Sequence, residues 1–208
     1  MKRTNLVAGA FAALLSLSSL AMPAAAQEIA SKDPKAVKSG TYKAEPYHTQ
    51  VGFSLSHFGF SEFSGLFSGA SGTLQLDPAN LSGAKLDITI PVQTVLTTVP
   101  KLDDELKGDK WFDAAKFPNA TFVSTKVTKA GNDTATILGN LTLHGVTKPV
   151  TLKARLIGSG VNPLDKTYTL GFQATGIIKR GDFGVKQYLP MVGDNVTLKI
   201  DAAFVLQP

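Results

Sequence analysis

Val150-Thr151-Leu152-Lys153-Ala154-Arg155-Leu156 is the stretch whose reading decides the fold. Its apolar and polar residues alternate with period two, which gives an extended strand one dry face and one wet face. Strands of this kind build antiparallel sheets that face water on one side.

The same alternation extends outward in both directions. Upstream, Val51, Phe53 and Leu55 alternate with Gly52, Ser54 and Ser56, and Leu86, Ile88 and Ile90 repeat the pattern before Pro91. Phe122 lies among Thr and Val residues after Pro118, and Ile137, Gly139, Leu141 and Leu143 form a further set. Downstream come Tyr168, Leu170, Phe172, Ala174 and Ile178, then Val196, Leu198, Ile200, Ala202 and Phe204. Turn residues such as Gly131-Asn132-Asp133 and Gly193-Asp194-Asn195 separate the strands. Between Ser61 and Pro78, Gly65, Gly69 and Gly72 interrupt a strand-like run at points that suit bending or bulging. Only residues 101–115 read as helical: Leu102, Leu106 and the Trp111-Phe112 pair recur at near-helical spacing, with Pro100 before them and Pro118 after.

The expected fold is therefore all-β, in one domain over residues 41–208. A packed sandwich and a closed barrel both satisfy the pattern. Closure removes strand edges, and a barrel of about eight strands encloses one small ligand. Periodicity alone leaves the choice open.

Residues 1–26 read as a secretory signal peptide: Lys2 and Arg3, an apolar run to Leu20, then Pro23 and Ala24-Ala25-Ala26. Cleavage is expected after Ala26, and the mature chain in the periplasm. Residues 27–40, rich in Ser, Lys and Pro, read as a flexible leader. The chain has no Cys, which excludes disulfides, thiolate catalysis and cysteine-bound metals. Its formal charge of +5 includes the two basic residues of the signal, and the rest are scattered without a run or stripe. No nucleic-acid partner is indicated.

Enzyme signatures are missing. Gly69-Ala70-Ser71-Gly72 has the wrong spacing for a nucleophile elbow, and no phosphate loop or dinucleotide fingerprint occurs. His48, His57 and His144 are the whole histidine supply and are poorly spaced for a metal site. No catalytic or metal-binding residue is assigned.

Four stretches carry a resemblance: HTQVGFSLSHFGFSEFSGLFSGASGTLQLDP from His48, KWFDAAKFPNATF from Lys110, LTLHGVTKPVTL from Leu141, and KRGDFGVKQYLPMVGDNVTLKIDA from Lys179. Together they are similar to the YceI-like family of exported bacterial proteins, known as polyisoprenoid-binding proteins of lipocalin-like fold. One departure stands out: a His common in the family's helix before the Trp is replaced here by about Glu105, so no role of that His carries over.

The resemblance implies an extended antiparallel barrel around an apolar tunnel, holding a polyisoprenoid, an isoprenoid quinone or a fatty-acid derivative. Bound lipid is then the only cofactor-like group expected. By alternation, Phe53, Leu55, Phe67, Leu86, Ile88, Leu141, Leu143, Leu152, Leu156, Leu170, Phe172, Leu198 and Ile200 face inward and would line the tunnel. A dry packed core explains the same pattern. His57, on the Val51-Phe53-Leu55 face near a strand end, and Arg180, continuing the Tyr168-to-Ile178 register at the rim, are the candidate head-group contacts. A surface ion pair of Arg180 with Asp182 is the structural alternative. A carrier or storage protein is the leading reading. A module presenting a quinone-like lipid to a membrane redox partner, or acting in stress response, is the second. An enzyme acting on the lipid is the third. Transient membrane contact and a homodimer are compatible with these readings.

Overall fold

The alternating stretch lies in the middle of β8 (Val146–Val161), the longest strand of the protein. Val150, Leu152 and Leu156 are buried, while Thr151, Lys153 and Arg155 are exposed. The alternation ends beyond Leu156, where a bulge shifts the register and leaves both Gly158 and Ser159 buried. The structure is a computed structural model and describes residues 29–208. The expected signal peptide and its cleavage point lie outside the described residues.

The other strands are β1 (Gly40–Ala44), β2 (Gln50–His57), β3 (Ser61–Phe67), β4 (Ser71–Leu76), β5 (Lys85–Pro91), β6 (Asn119–Lys129), β7 (Thr134–Leu143), β9 (Tyr168–Lys179) and β10 (Asn195–Leu206). Eight of them close an antiparallel barrel in the order β1-β4-β5-β6-β7-β8-β9-β10, with β10 pairing back onto β1. The sandwich alternative is thereby set aside. β2 and β3 form an additional hairpin carried by β10.

One edge of β10 serves two partners. Its C-terminal part pairs with β1, where Ala44 faces Phe204, and its N-terminal part pairs with β2, where Gln50 faces Asp201. Buried Thr49 stitches the gap: its hydroxyl accepts from the Ala203 amide at 3.1 Å and donates to the Ala203 carbonyl at 3.2 Å. The Ala203 amide and carbonyl are thereby both paired at that step.

The glycine-rich run expected to bend is two strands rather than one. Gly69 turns the chain between β3 and β4 with φ +68°. At Gly72, φ is +134° and a Cβ would meet the Asp87 carbonyl oxygen at 2.0 Å, so β4 and β5 approach each other only because no side chain is there.

The helix is shorter than its apolar spacing predicts. α1 spans Pro100–Lys107, with Pro at its first turn, and Gly108 ends it. Residues 109–117 run on as turns, so Trp111 and Phe112 follow the helix instead of lying on it. Buried Asp103 fixes the entry: its carboxylate accepts from both the amide and the hydroxyl of Thr97, each at 2.6 Å.

Ser31 and Val37, within the expected leader of residues 27–40, lie against the barrel. β7 begins opposite Arg155 and the Asp133 carbonyl still accepts from the Leu156 amide at 2.8 Å, but the edge of β8 outruns this partner beyond that point. Ser31 covers this edge with two 2.8 Å backbone hydrogen bonds to Ser159. Val37 then enters a buried cluster with Tyr42, Leu74, Leu156, Leu170 and Phe204, and the Tyr168 hydroxyl donates to the Ala36 carbonyl.

Candidate functional site

The inward faces of the strands do not fill the barrel. Two apolar chambers lie along its interior, of about 180 Å³ and about 110 Å³. Val51, Ile90, Leu141 and Leu198 line both, so the two meet at a waist made by β2, β5, β7 and β10.

Most of the expected lining is found there. Leu86, Ile88, Leu152, Phe172 and Ile200 wall the larger chamber, and Phe53, Leu55, Phe67 and Leu143 wall the smaller. Leu141 and Leu198 belong to the waist. Leu156 and Leu170 face inward as expected but line neither chamber. Beyond the larger chamber, the barrel is filled by Tyr42 and Val37, and these two leucines are packed solid against them. Tyr42 is fully buried, and its hydroxyl donates to the Lys38 carbonyl at 2.5 Å. Burial, and then the neighbouring Tyr168, push its pKa up to about 12.

The smaller chamber is completed by residues from outside the sheet. Leu106 of α1, Trp111 and Phe112 after it, and Val185 beyond β9 close its side. Phe67 stands edge-on to Phe112 at 5.4 Å and tilted against Phe53 at 5.6 Å. The Trp111 ring nitrogen donates to Glu105 Oε1 at 3.0 Å. Sequence periodicity pointed to Trp111 and Phe112 as part of a helix; their place in the wall follows from the turn that brings them back over the barrel.

Arg180 departs from its expected place. β9 stops at Lys179 and Arg180 opens a 3-10 turn (Arg180–Phe183), so the strand register does not continue to a rim. The side chain is only 4% exposed and reaches the smaller chamber. Its Nε donates to the Gly193 carbonyl at 2.8 Å, and its two terminal nitrogens donate to the carbonyls of Val185 at 2.9 Å and Val192 at 2.8 Å. Burial lowers its pKa from the ordinary arginine value and the charge of Asp194 opposes this; the group stays protonated. The anticipated surface pair with Asp182 is not formed. Asp194, whose carboxylate accepts from the Gly181 amide at 2.8 Å, supplies the longer-range compensation.

His57 is exposed and lines neither chamber. The β2–β3 hairpin projects past the barrel wall at its tip, so the alternation that faces Phe53 and Leu55 inward no longer meets an interior at residue 57. The His57 ring stands edge-on to Phe58 at 4.5 Å, and its backbone bridges to Val192. Around this tip Phe58, Phe60, Tyr188 and Met191 are all exposed, and Tyr188 packs against Trp111 at 6.1 Å between ring centres. The other histidines have ordinary partners: His48 contacts Glu45 Oε2 at 2.7 Å, and His144 contacts the Phe183 carbonyl at 3.1 Å. Among the described residues no group of three or more His, Cys, Asp or Glu side chains is placed to hold a metal ion.

The model of the YceI-like domain matches residues 42–204, which spans the barrel and hairpin. A UPF0312 protein of Pectobacterium atrosepticum is 39% identical over 194 residues, covering 93% of this chain and 97% of that one. The crystal structure of the Campylobacter jejuni YceI protein superposes with a TM-score of 0.65 at 31% identity, over 74% of this chain and 90% of that one. A polyisoprenoid-binding domain from Saccharophagus degradans shares the fold at a TM-score of 0.60 and 15% identity, covering 82% of this chain and all of that one. By the family model and by these identities, the chain belongs to the YceI-like family.

Proposed function

We propose that the protein binds a long apolar amphiphile inside the barrel and carries or stores it in the periplasm, without chemistry on the cargo. The observation that carries this reading is the pair of joined chambers, walled by hydrocarbon. Among the residues lining them, Thr49, Lys85 and Arg180 are the polar ones besides Trp111. Thr49 is spent on the Ala203 backbone, Lys85 is exposed, and neither stands with a nucleophile and base. The Saccharophagus neighbour is described as a polyisoprenoid-binding domain, which agrees with a lipid cargo.

Volume decides how the cargo fits. A cavity of about 150 Å³ takes one benzene-sized group. The chambers of about 180 Å³ and 110 Å³ therefore hold a short apolar segment, and a longer tail must spread the walls. The wall made by Leu106, Trp111, Phe112 and Val185 belongs to no strand ladder. It can move without breaking the barrel's hydrogen bonds, so it is the part that yields.

Energetics then favour exchange over trapping. Each buried CH₂ contributes roughly 0.8 kcal/mol relative to water, and a long tail would approach the affinity ceiling of about −18 to −21 kcal/mol. In a cell the competing state is a bilayer, where the tail is already dry, so transfer is nearly balanced. The exposed Phe58, Phe60, Tyr188 and Met191, beside Trp111, are where such a carrier meets that bilayer. Purification from the native host, followed by organic extraction and mass spectrometry, tests the reading. A stoichiometric amphiphile is expected. Protein that carries none and takes up none from vesicles would refute it.

A further inference from the structure

Lysines that lie scattered along the sequence are gathered by the sheet. On the outer wall of the barrel, Thr175, Ile177 and Lys179 follow one another along β9, and all three are exposed. The register sets Lys153 of β8 and Lys199 of β10 on either side of Thr175, and Thr197 of β10 beside Ile177. Ile177 therefore stands about 7–8 Å along or across the sheet from three lysine positions. None of these lysines forms an ion pair among the described residues. The carboxylates at the margin of the patch are engaged elsewhere: Asp201 accepts from the Gln173 amide at 2.8 Å, and Asp133 lies 3.7 Å from Arg155. At 66% exposure, Ile177 is the barest large apolar side chain on any strand of the described residues.

We infer that this wall docks a protein partner through an acidic surface, with Ile177 at the centre of the contact and Lys153, Lys179 and Lys199 meeting carboxylates around it. An apolar centre inside a polar rim is the anatomy of a protein interface, and a rim of one sign steers a partner of the other. The neighbouring Thr175 and Thr197 are short, so nothing in this chain covers the isoleucine. Two other occupants fit less well. A second copy set face to face by a two-fold axis would bring the same lysines against one another, and like charges across an interface are repelled. A bilayer surface is gripped by aromatic side chains at headgroup level, and this wall presents none. β8 has no aromatic residue, and Tyr168, Phe172 and Phe204 of β9 and β10 belong to an interior cluster. Exposed Phe58, Phe60 and Tyr188 are grouped instead at the hairpin tip and the loop before β10. Docking on the outer wall leaves the interior untouched and stands whether or not the barrel is loaded.

The test is photo-crosslinking of the full chain in its native host, with p-benzoylphenylalanine in place of Thr197 so that the reactive group sits beside an intact Ile177. One protein adduct is expected, and mass spectrometry of the crosslinked peptide should place Asp or Glu residues at the point of attachment. Lys153→Glu combined with Lys199→Glu reverses two charges of the rim and should lower the adduct yield at least about tenfold. Ile177→Ser keeps every charge and should lower it several-fold, which gives a readout of its own if the double variant fails to fold. All three positions are exposed, so the urea midpoints of the variants should match that of the parent and show that the loss is not unfolding. A phospholipid adduct would make the wall a bilayer contact, and an adduct with the same chain would make it a contact between copies. Either result would overturn the inference, as would no adduct at all or a protein adduct whose yield ignores both the charge reversal and Ile177→Ser.

Discussion

The guanidinium carbon of Arg180 lies 5.5 Å from the centre of the Trp111 ring, whose own N–H donates to Glu105. The indole thus joins a buried cation on one side to a carboxylate on the other, across the wall of the smaller chamber. Because Trp111 is the only tryptophan in the chain, this wall reports on itself. Emission in the folded protein should be blue-shifted relative to free indole, and should move when a lipid enters. Fluorescence titration with vesicles checks this, and exposed-type emission that lipid leaves unchanged would remove Trp111 from the moving wall.

Arg180 also holds backbone together. Its three carbonyl partners come from residues 185, 192 and 193, so the side chain ties the loop before β10 to the end of β9. Arg180→Ala leaves these acceptors unpaired in a buried setting and should cost about 3 kcal/mol. Arg180→Lys should recover only part of that, because an ammonium cannot reproduce the planar fork. Urea unfolding of the two variants measures both.

How much of this was legible beforehand depended on where each residue gets its neighbours. Alternation around Leu152 depends on one strand alone, and its inward direction could be read directly. Arg180 was misplaced because the strand register was extended one residue too far, across a strand end marked only by Gly181. Leu156 and Leu170 were given a tunnel that, at their level, is filled by Val37 and Tyr42, residues more than a hundred positions away in sequence. His57 failed for the opposite reason, since the pattern held but the barrel had ended. β1, β3 and β4, five to seven residues each and broken by Gly and Ser, carry too little hydrophobic pattern to stand out.

Tyr42 makes stability depend on alkaline pH. Its pKa is about 12 in the folded protein, raised first by burial and then by Tyr168, against about 10 in an unfolded chain. The folded state thus favours the protonated phenol. This contribution is full below about pH 10 and is lost as pH rises from there toward 12. Tyr42→Phe loses the hydrogen bond to Lys38, about 1 kcal/mol at neutral pH, but should flatten the decline between those values. Denaturation curves at pH 8, 10 and 11.5 compare the slopes; equal slopes for parent and variant would show that Tyr42 is not the group responsible.

Phe60 is 91% exposed at the hairpin tip, beyond the chamber that Phe53 and Leu55 wall. Phe60→Ser should leave stability within about 0.5 kcal/mol and leave equilibrium affinity for dodecanoic acid unchanged. It should slow the transfer of a fluorescent lipid between vesicles. Unchanged transfer rates would mean that exchange with the bilayer takes place elsewhere.

Leu152 and Leu170 separate a chamber from a packed core within one barrel. Both face inward and both are buried, at 6% and 0% exposure, so burial alone does not distinguish them. Leu152 borders the chamber of about 180 Å³, whereas Leu170 is enclosed by Tyr42, Leu156 and Phe204. An indole at position 152 has room to turn into the chamber, while at position 170 it meets side chains on every side. Overpacking a filled core costs about 1–3 kcal/mol. Leu170→Trp should therefore lower stability by that amount and spare lipid content in whatever protein folds. Leu152→Trp should be nearly neutral for the delipidated protein and should abolish co-purified lipid, because the ring occupies the space the tail needs. Thermal unfolding paired with mass spectrometry of extracted lipid reads both quantities on the same samples. If Leu152→Trp destabilises as much as Leu170→Trp, the space beside Leu152 is not available to a tail and the carrier reading loses its chamber.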